Sequence, residues 1–202
     1  MLAAAREVAA EGGVRAVTLT AIGVRTGMHK SAVLRYFDNR EALLLTLCQQ
    51  EWQAWAGELA AEAVDGPDAP VGSPARVLSS TLERRPLFCD LLAQTPVLLE
   101  REAPVEAVRT FKLHVLDAVD EAAGAVQSLS GGLGRQDAVR LVGVATSLAG
   151  TLWHVAHPPA ALRQVYSADP RLSRACVDFE AELAGLLDTF LLGLTAQDQG
   201  DL

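Results

Sequence analysis

The stretch from Thr18 to Leu44 is the most tightly punctuated part of the chain, and it restricts the possible folds more than anything else in it. Thr18 stands at the head of a run with helical periodicity, and Gly27 closes that run. A second short run from Lys30 ends in Tyr36-Phe37, and Asp38 and Glu41 then have the spacing of a capping box ahead of a long third run. Two short helices joined by a tight glycine turn and followed by a long helix are helix-turn-helix grammar. One short helix braces the other, which can enter a DNA major groove.

The rest of the chain is helical by the same signs. Alternating β-branched runs and Asn-Gly hairpin turns do not occur, while Ala and Leu, both strong helix formers, dominate. The pattern predicts helices over residues 2–11, 19–26, 30–37 and 39–64. Further helices follow at 75–84, 87–94, 105–123, 135–156 and 172–194. Residues 65–74, with Gly66, Pro67, Pro70, Gly72 and Pro74, read as a linker. Gly131-Gly132-Leu133-Gly134 has no preceding strand and no following Lys-Ser/Thr, so it is an interhelical loop and not a phosphate loop.

A net charge of −8 looks wrong for a nucleic-acid binder until its distribution is examined. Residues 1–50 carry +2, leaving −10 on the remainder. Phosphate attraction is screened beyond about 10 Å, so an acidic second half does not veto DNA binding by the first. It marks the second half as a different module. Cys48, Cys89 and Cys176 are odd in number and in no CxxC pattern, which reads as reduced core thiols, with a redox sensor as the alternative. No apolar run reaches about 18 residues and no basic stretch leads into one, so neither a membrane span nor a signal peptide is expected.

Within the first module Val8, Val17, Ile22, Met28, Val33 and Phe37 can point inward as a small core. Gly23 and Gly27 would allow close helix approach and the tight turn. His29, Lys30, Ser31, Leu34 and Arg35 are then left facing outward. Lys30 and Arg35 can meet phosphates or guanine edges, and Ser31 can donate or accept toward any base. Thr18 and Thr20 sit where helix N-terminal N–H groups and hydroxyls can hold a phosphate.

This region resembles the DNA-binding domain of TetR-family transcriptional repressors. The resemblance lies in Thr18 to Ile22, Thr26-Gly27-Met28, Leu34-Arg35-Tyr36-Phe37 and Arg40-Glu41-Ala42-Leu43, and covers roughly residues 2–50. It implies that Lys30, Ser31 and Arg35 read bases or nearby phosphates, and that Tyr36 and Arg40 clamp the DNA backbone. Leu34 stands where the family commonly has a backbone-contacting Tyr, and can either touch a thymine methyl or pack on a neighbour. The chain begins almost directly on its first helix, so minor-groove contact from a basic arm is not expected.

The second module offers no catalytic constellation: no Ser-His-Asp set with supporting context, no HExxH, no paired carboxylates in an evident cleft. His154 and His157 could face a metal, but they close a helix before Pro158-Pro159, where imidazolium suits the dipole. Asp178, Glu180 and Glu182 read as a solvated face. Phe88, Leu92, Thr95, Phe111, His114, Thr146 and Trp153 combine large apolar groups with scattered polar ones, which suits either a binding pocket or a plain core. The resemblance implies a small-molecule effector in this part of the chain, either hydrophobic or cationic. Val139, Val142, Gly143, Thr146 and Gly150, with Val177, Ala181, Ala184 and Asp188, could form a dimer face or monomer core.

The expectation is an all-α protein with a helix-turn-helix three-helix DNA-binding domain at 1–46 and a helical ligand-binding and dimerisation domain at 47–202. Its function would be that of a cytoplasmic homodimeric repressor, released from double-stranded operator DNA by an unidentified effector. It would use no cofactor or metal and would act neither as an enzyme nor in a membrane. The alternative is a helical ligand carrier or interaction scaffold that has lost operator binding.

Overall fold

The computed structural model describes residues 1–64 and 73–200, all of them in helices, turns or short connections. Most of the expected linker lies outside the described residues; Ser73 and Pro74 are seen, Pro74 in the first turn of the next helix.

The N-terminal head consists of α1 (Leu2–Gly12), a 3₁₀ turn (Val14–Ala16), α2 (Leu19–Thr26) and α3 (Lys30–Val33), followed by the long α4 (Arg40–Val64). Thr18 caps α2 as its position predicts, its Oγ1 accepting from the Ala21 N–H at 3.0 Å. Gly27 ends α2 at φ 67°. A Cβ on Gly23 would lie 2.6 Å from the Met28 carbonyl oxygen, so only glycine lets the turn fold back this closely. Val8, Val17, Ile22 and Val33 are buried as expected, and Met28 and Phe37 pack half-buried against them.

Two expectations for the head need correction. The third helix is α-helical only to Val33; it then tightens, with Arg35 N–H to Ala32 O at 3.3 Å and Tyr36 N–H to Val33 O at 3.0 Å. Such i→i+3 bonds satisfy a helix end that must turn at once into another helix. The cap of α4 is Asn39, not Asp38, its Oδ1 accepting from Ala42 N–H at 2.8 Å. Glu41 pairs with Arg40 instead of closing a capping box.

The body is built from α5 (Pro74–Glu83), α6 (Pro86–Gln94), a π-helical stretch (Thr95–Leu99), the short α7 (Glu100–Glu102), α8 (Val105–Ser130), α9 (Arg135–Ala156), α10 (Ala160–Ala168), a 3₁₀ segment (Pro170–Ala175) and α11 (Phe179–Gly200). α8 runs seven residues beyond the expected end, until Gly131 caps it at φ 62°. α10 was not foreseen, and the last helix starts later than expected. α4 lies along α8, α6 along α9, and α11 packs on α5 and α9. Because α4 is unbroken through residues 46 and 47, head and body share one helix. α9 has an 18-residue window of mean hydropathy 1.2, and it spends its apolar side on the core through Leu141, Val142, Ala145 and Ala149.

An aromatic knot locks α4 to α6. Trp52 meets Phe88 edge-on at 5.2 Å and Trp55 at 5.7 Å, while the buried Trp55 indole donates to Thr81 Oγ1 at 3.1 Å. Cys48 and Cys89 are buried, but Cys176 is exposed, contrary to the expectation of three core thiols. Burial disfavours the thiolate and pushes Cys48 and Cys89 each up to about 12. Iodoacetamide at about pH 8, near the ordinary thiol range, should therefore label Cys176 alone in folded protein and all three thiols after denaturation. Mass spectrometry reads the result directly.

Candidate nucleic-acid interface and body cavity

The exposed rim of the head is assembled from the N-terminus of α2, from α3 and from the turn after it. At α2 the Thr18 hydroxyl oxygen accepts the Ala21 N–H, leaving its own O–H to donate, and Thr20 is exposed beside it. Free N–H groups and a hydroxyl donor at a helix N-terminus suit a phosphate. At α3 His29 caps the helix: Nδ1 faces the Ser31 N–H at 3.4 Å and the Ser31 Oγ at 2.9 Å. An Nδ1 that accepts carries its proton on Nε2, so the exposed ring presents a donor outward. Lys30, Leu34, Arg35 and Tyr36 are all exposed, Tyr36 at 66% and Leu34 at 41%.

Ion pairing decides which charges of the head remain available. Arg25 holds Glu7 at 3.3 Å and Glu11 at 2.6 Å, and its hydrogen bond keeps the Glu11 carboxyl below the usual carboxylate range. Arg6 reaches across to the body at Glu51, 3.0 Å away. Among the described residues Arg15, Lys30 and Arg35 make no ion pair, and they are the cations left to meet phosphate or base edges. Arg15 escaped the sequence reading because it lies outside the helix-turn-helix proper.

Arg40 is placed differently from the other expected contacts. Its guanidinium turns inward, with Nε donating to Val17 O at 2.5 Å, Nη2 to Val14 O at 2.9 Å and Nη1 to Glu41 Oε1 at 3.1 Å. The side chain ties α4 to the 3₁₀ turn that leads into Thr18, and so sets where the N-terminus of α2 points.

In the body, α4, α6, its π-helical extension, α7, α8 and α9 line an open cavity of about 380 Å³. Of the seven sequence candidates, Leu92, Thr95, Phe111 and Thr146 line it. Phe88 is committed to the tryptophan knot, and the exposed His114 turns Nδ1 to its own Thr110 carbonyl at 2.8 Å. Trp153 lies over a second cavity of about 400 Å³ between head and body, stacked on His157 at 3.7 Å. The sequence reading missed Trp52, Val115, Ser147 and Thr151 on the walls and a Lys112–Glu100 pair at 2.6 Å. Thr95 and Thr146 donate their hydroxyl protons to Leu91 O and Val142 O, so toward the cavity they offer lone pairs. The result is an open cavity of mixed lining, in which Trp52, Leu92, Phe111 and Val115 alternate with hydroxyl groups and one ion pair of balanced charge.

A family model described as bacterial regulatory proteins, tetR family, matches residues 1–47, and one described as tetracyclin repressor-like, C-terminal domain, matches residues 49–198. The chain belongs to the TetR family. No curated protein matches it. Among solved structures, the TetR-family chain resembles the transcriptional regulator FadR from Bacillus subtilis in complex with stearoyl-CoA. The likeness has a TM-score of 0.52 and 17% identity, over 93% of this chain and 94% of that one. The fold is shared at that distance, and the family makes this chain a helix-turn-helix transcriptional regulator.

Proposed function

We propose that the chain is a ligand-responsive repressor that binds a near-palindromic operator as a homodimer. The observation that carries this reading is the rim of the head: unpaired Lys30 and Arg35 stand beside a capped helix N-terminus suited to phosphate. One such helix reads only a few base pairs, and two half-sites about 34 Å apart supply the missing affinity. The dimer face we propose lies on the outer sides of α9 and α11. Leu186 and Leu192 are 40% and 71% exposed there, and Phe190, Gly193 and Leu194 line an open groove of about 460 Å³ with Arg140. Of the residues offered by the sequence as dimer face or monomer core, Val142, Thr146 and Gly150 are buried within the protomer, while Gly143, Ala181 and Asp188 are exposed and stay available to this face.

The effector we propose is predominantly apolar and occupies the 380 Å³ cavity, a size in the ordinary range of ligand pockets. Its aromatic lining and the neutralised Lys112–Glu100 pair support an apolar body over a cation. The stearoyl-CoA held by the Bacillus subtilis regulator makes long-chain acyl-CoA a sensible first probe.

The test is selection of bound sequences from random DNA with purified protein, followed by salt titration on the winning site. Recovered sites should carry two related half-sites, and log affinity should fall linearly with log salt. A folded dimer that retains no DNA even at low salt would replace this reading with the carrier or scaffold.

A further inference from the structure

Asp90 occupies the joint between body and head, and its two oxygens face different ways. Oδ2 accepts the Val14 N–H at 2.7 Å, across 76 residues of sequence, satisfying the orphan donor that opens the 3₁₀ turn of the head. Oδ1 accepts from Gln94 Nε2 at 2.7 Å, at the end of α6, and lies 3.3 Å from His154 Nε2 on α9. The carboxylate side chain is only 14% exposed. We propose that Asp90 is the positioning residue through which occupation of the body cavity reaches the DNA-reading head, a role that rests on the repressor reading above.

The mechanical case follows from what α6 and α9 touch. α6 contributes Leu92 and Ala93 to the cavity wall, four residues or fewer from Asp90, and α9 contributes Thr146, Ser147 and Thr151. α6 and α9 are closely packed: a Cβ on Gly150 would lie 2.8 Å from the Ala93 backbone nitrogen, so backbone meets backbone and neither helix can press further into the other. An object that fills the cavity therefore pushes α6 and α9 as one body, and Asp90 moves with both. On the far side Val14 has little freedom. Its carbonyl and that of Val17 are held by Arg40, and Thr18, the cap of α2, comes next in the chain. Displacing the Val14 N–H thus tilts the 3₁₀ turn about the Arg40 tie and re-aims α2, against which α3 is packed. A ligand acts only through such a difference between two states.

Val115→Trp tests this without any identified ligand, because it puts an indole into the cavity from α8, opposite α6. The first readout is hydrogen exchange at the Val14 amide. Exchange should be slow in wild type and at least about tenfold faster in Val115→Trp. In Asp90→Ala it should already be fast, with nothing added by the second substitution. The second readout is affinity for the selected operator. Val115→Trp should weaken it by about 5–150-fold, the usual range of coupling between sites, but less than about twofold when Asp90→Ala is also present. Asp90→Asn keeps an oxygen to accept the Val14 N–H and should leave the Val115→Trp penalty in place. Thr151→Trp, at an exposed wall position, supplies the same readings should Val115→Trp fail to fold. A Val115→Trp penalty of equal size with and without Asp90, or a Val14 amide indifferent to the filled cavity, overturns the proposal. The amide readout needs no DNA, so a chain that binds no operator would sink the repressor reading while this result still decides the role of Asp90.

Discussion

Arg40→Ala is expected to weaken binding to every DNA sequence alike and to destabilise the head, while the salt dependence of the remaining binding stays unchanged. Resemblance to the family puts this position on the DNA backbone. A residue that neutralised a phosphate would, when removed, lower the salt slope by about 0.9 for each protomer. The guanidinium seen here spends three donors inside the protein, two of them on the carbonyls of Val14 and Val17, both fully buried residues. The Val14 carbonyl keeps the Val17 N–H at 3.1 Å, but the Val17 carbonyl loses its Arg40 partner. Leaving one buried acceptor unpaired costs about 1–3 kcal/mol, a sizeable share of the stability of a small domain. Denaturant unfolding followed beside salt titration separates the outcomes: lower stability with an unchanged slope supports the tie, unchanged stability with a reduced slope supports the clamp. Arg40→Lys should recover little, because one ammonium cannot span the two carbonyls as the planar fork does.

What sequence could and could not foresee divides along the range of the interactions involved. Thr18 as a cap, Gly27 as a turn and the bounds of α9 rest on chemistry within about four residues, and the structure places them where the pattern does. Asp38 fits the local rule for a cap, but so does its neighbour Asn39, which takes the position. Only the tightened turn after Val33, which carries the chain back toward α4, selects Asn39. Pro158-Pro159 signals a helix end in the sequence, yet Pro159 also takes the N-cap of α10, which no local pattern announces. The inward turn of Arg40 and the Asp90–Val14 bond join residues 23 to 76 positions apart, and no local pattern records them. The same limit applies to the cavity. Residue type offered Leu92, Thr95, Phe111 and Thr146, which line the cavity, and equally offered Phe88, which the tryptophan knot claims.

Arg35→Ala should produce the largest loss of operator affinity of any single head substitution, together with a relaxed preference at the base it meets. Arg35 is exposed on the tightened turn after α3 and, among the described residues, makes no ion pair or side-chain hydrogen bond, so nothing in the protein competes for its fork. A bidentate arginine on a guanine edge contributes about 1–3 kcal/mol of discrimination. In a symmetric dimer the substitution is felt at both half-sites, which brings the expected loss to about 2–6 kcal/mol, or roughly 30-fold to 10⁴-fold. Arg35→Lys separates charge from geometry. It keeps the cation, and so keeps the salt slope, but loses the planar pair of donors that a guanine edge requires. Binding of Arg35→Lys to a pool of related sites should therefore flatten across sequences while remaining salt-dependent. Equal discrimination by wild type and Arg35→Ala would remove Arg35 from base reading. The burden of specificity would then pass to Lys30, Ser31 and the outward donor of His29.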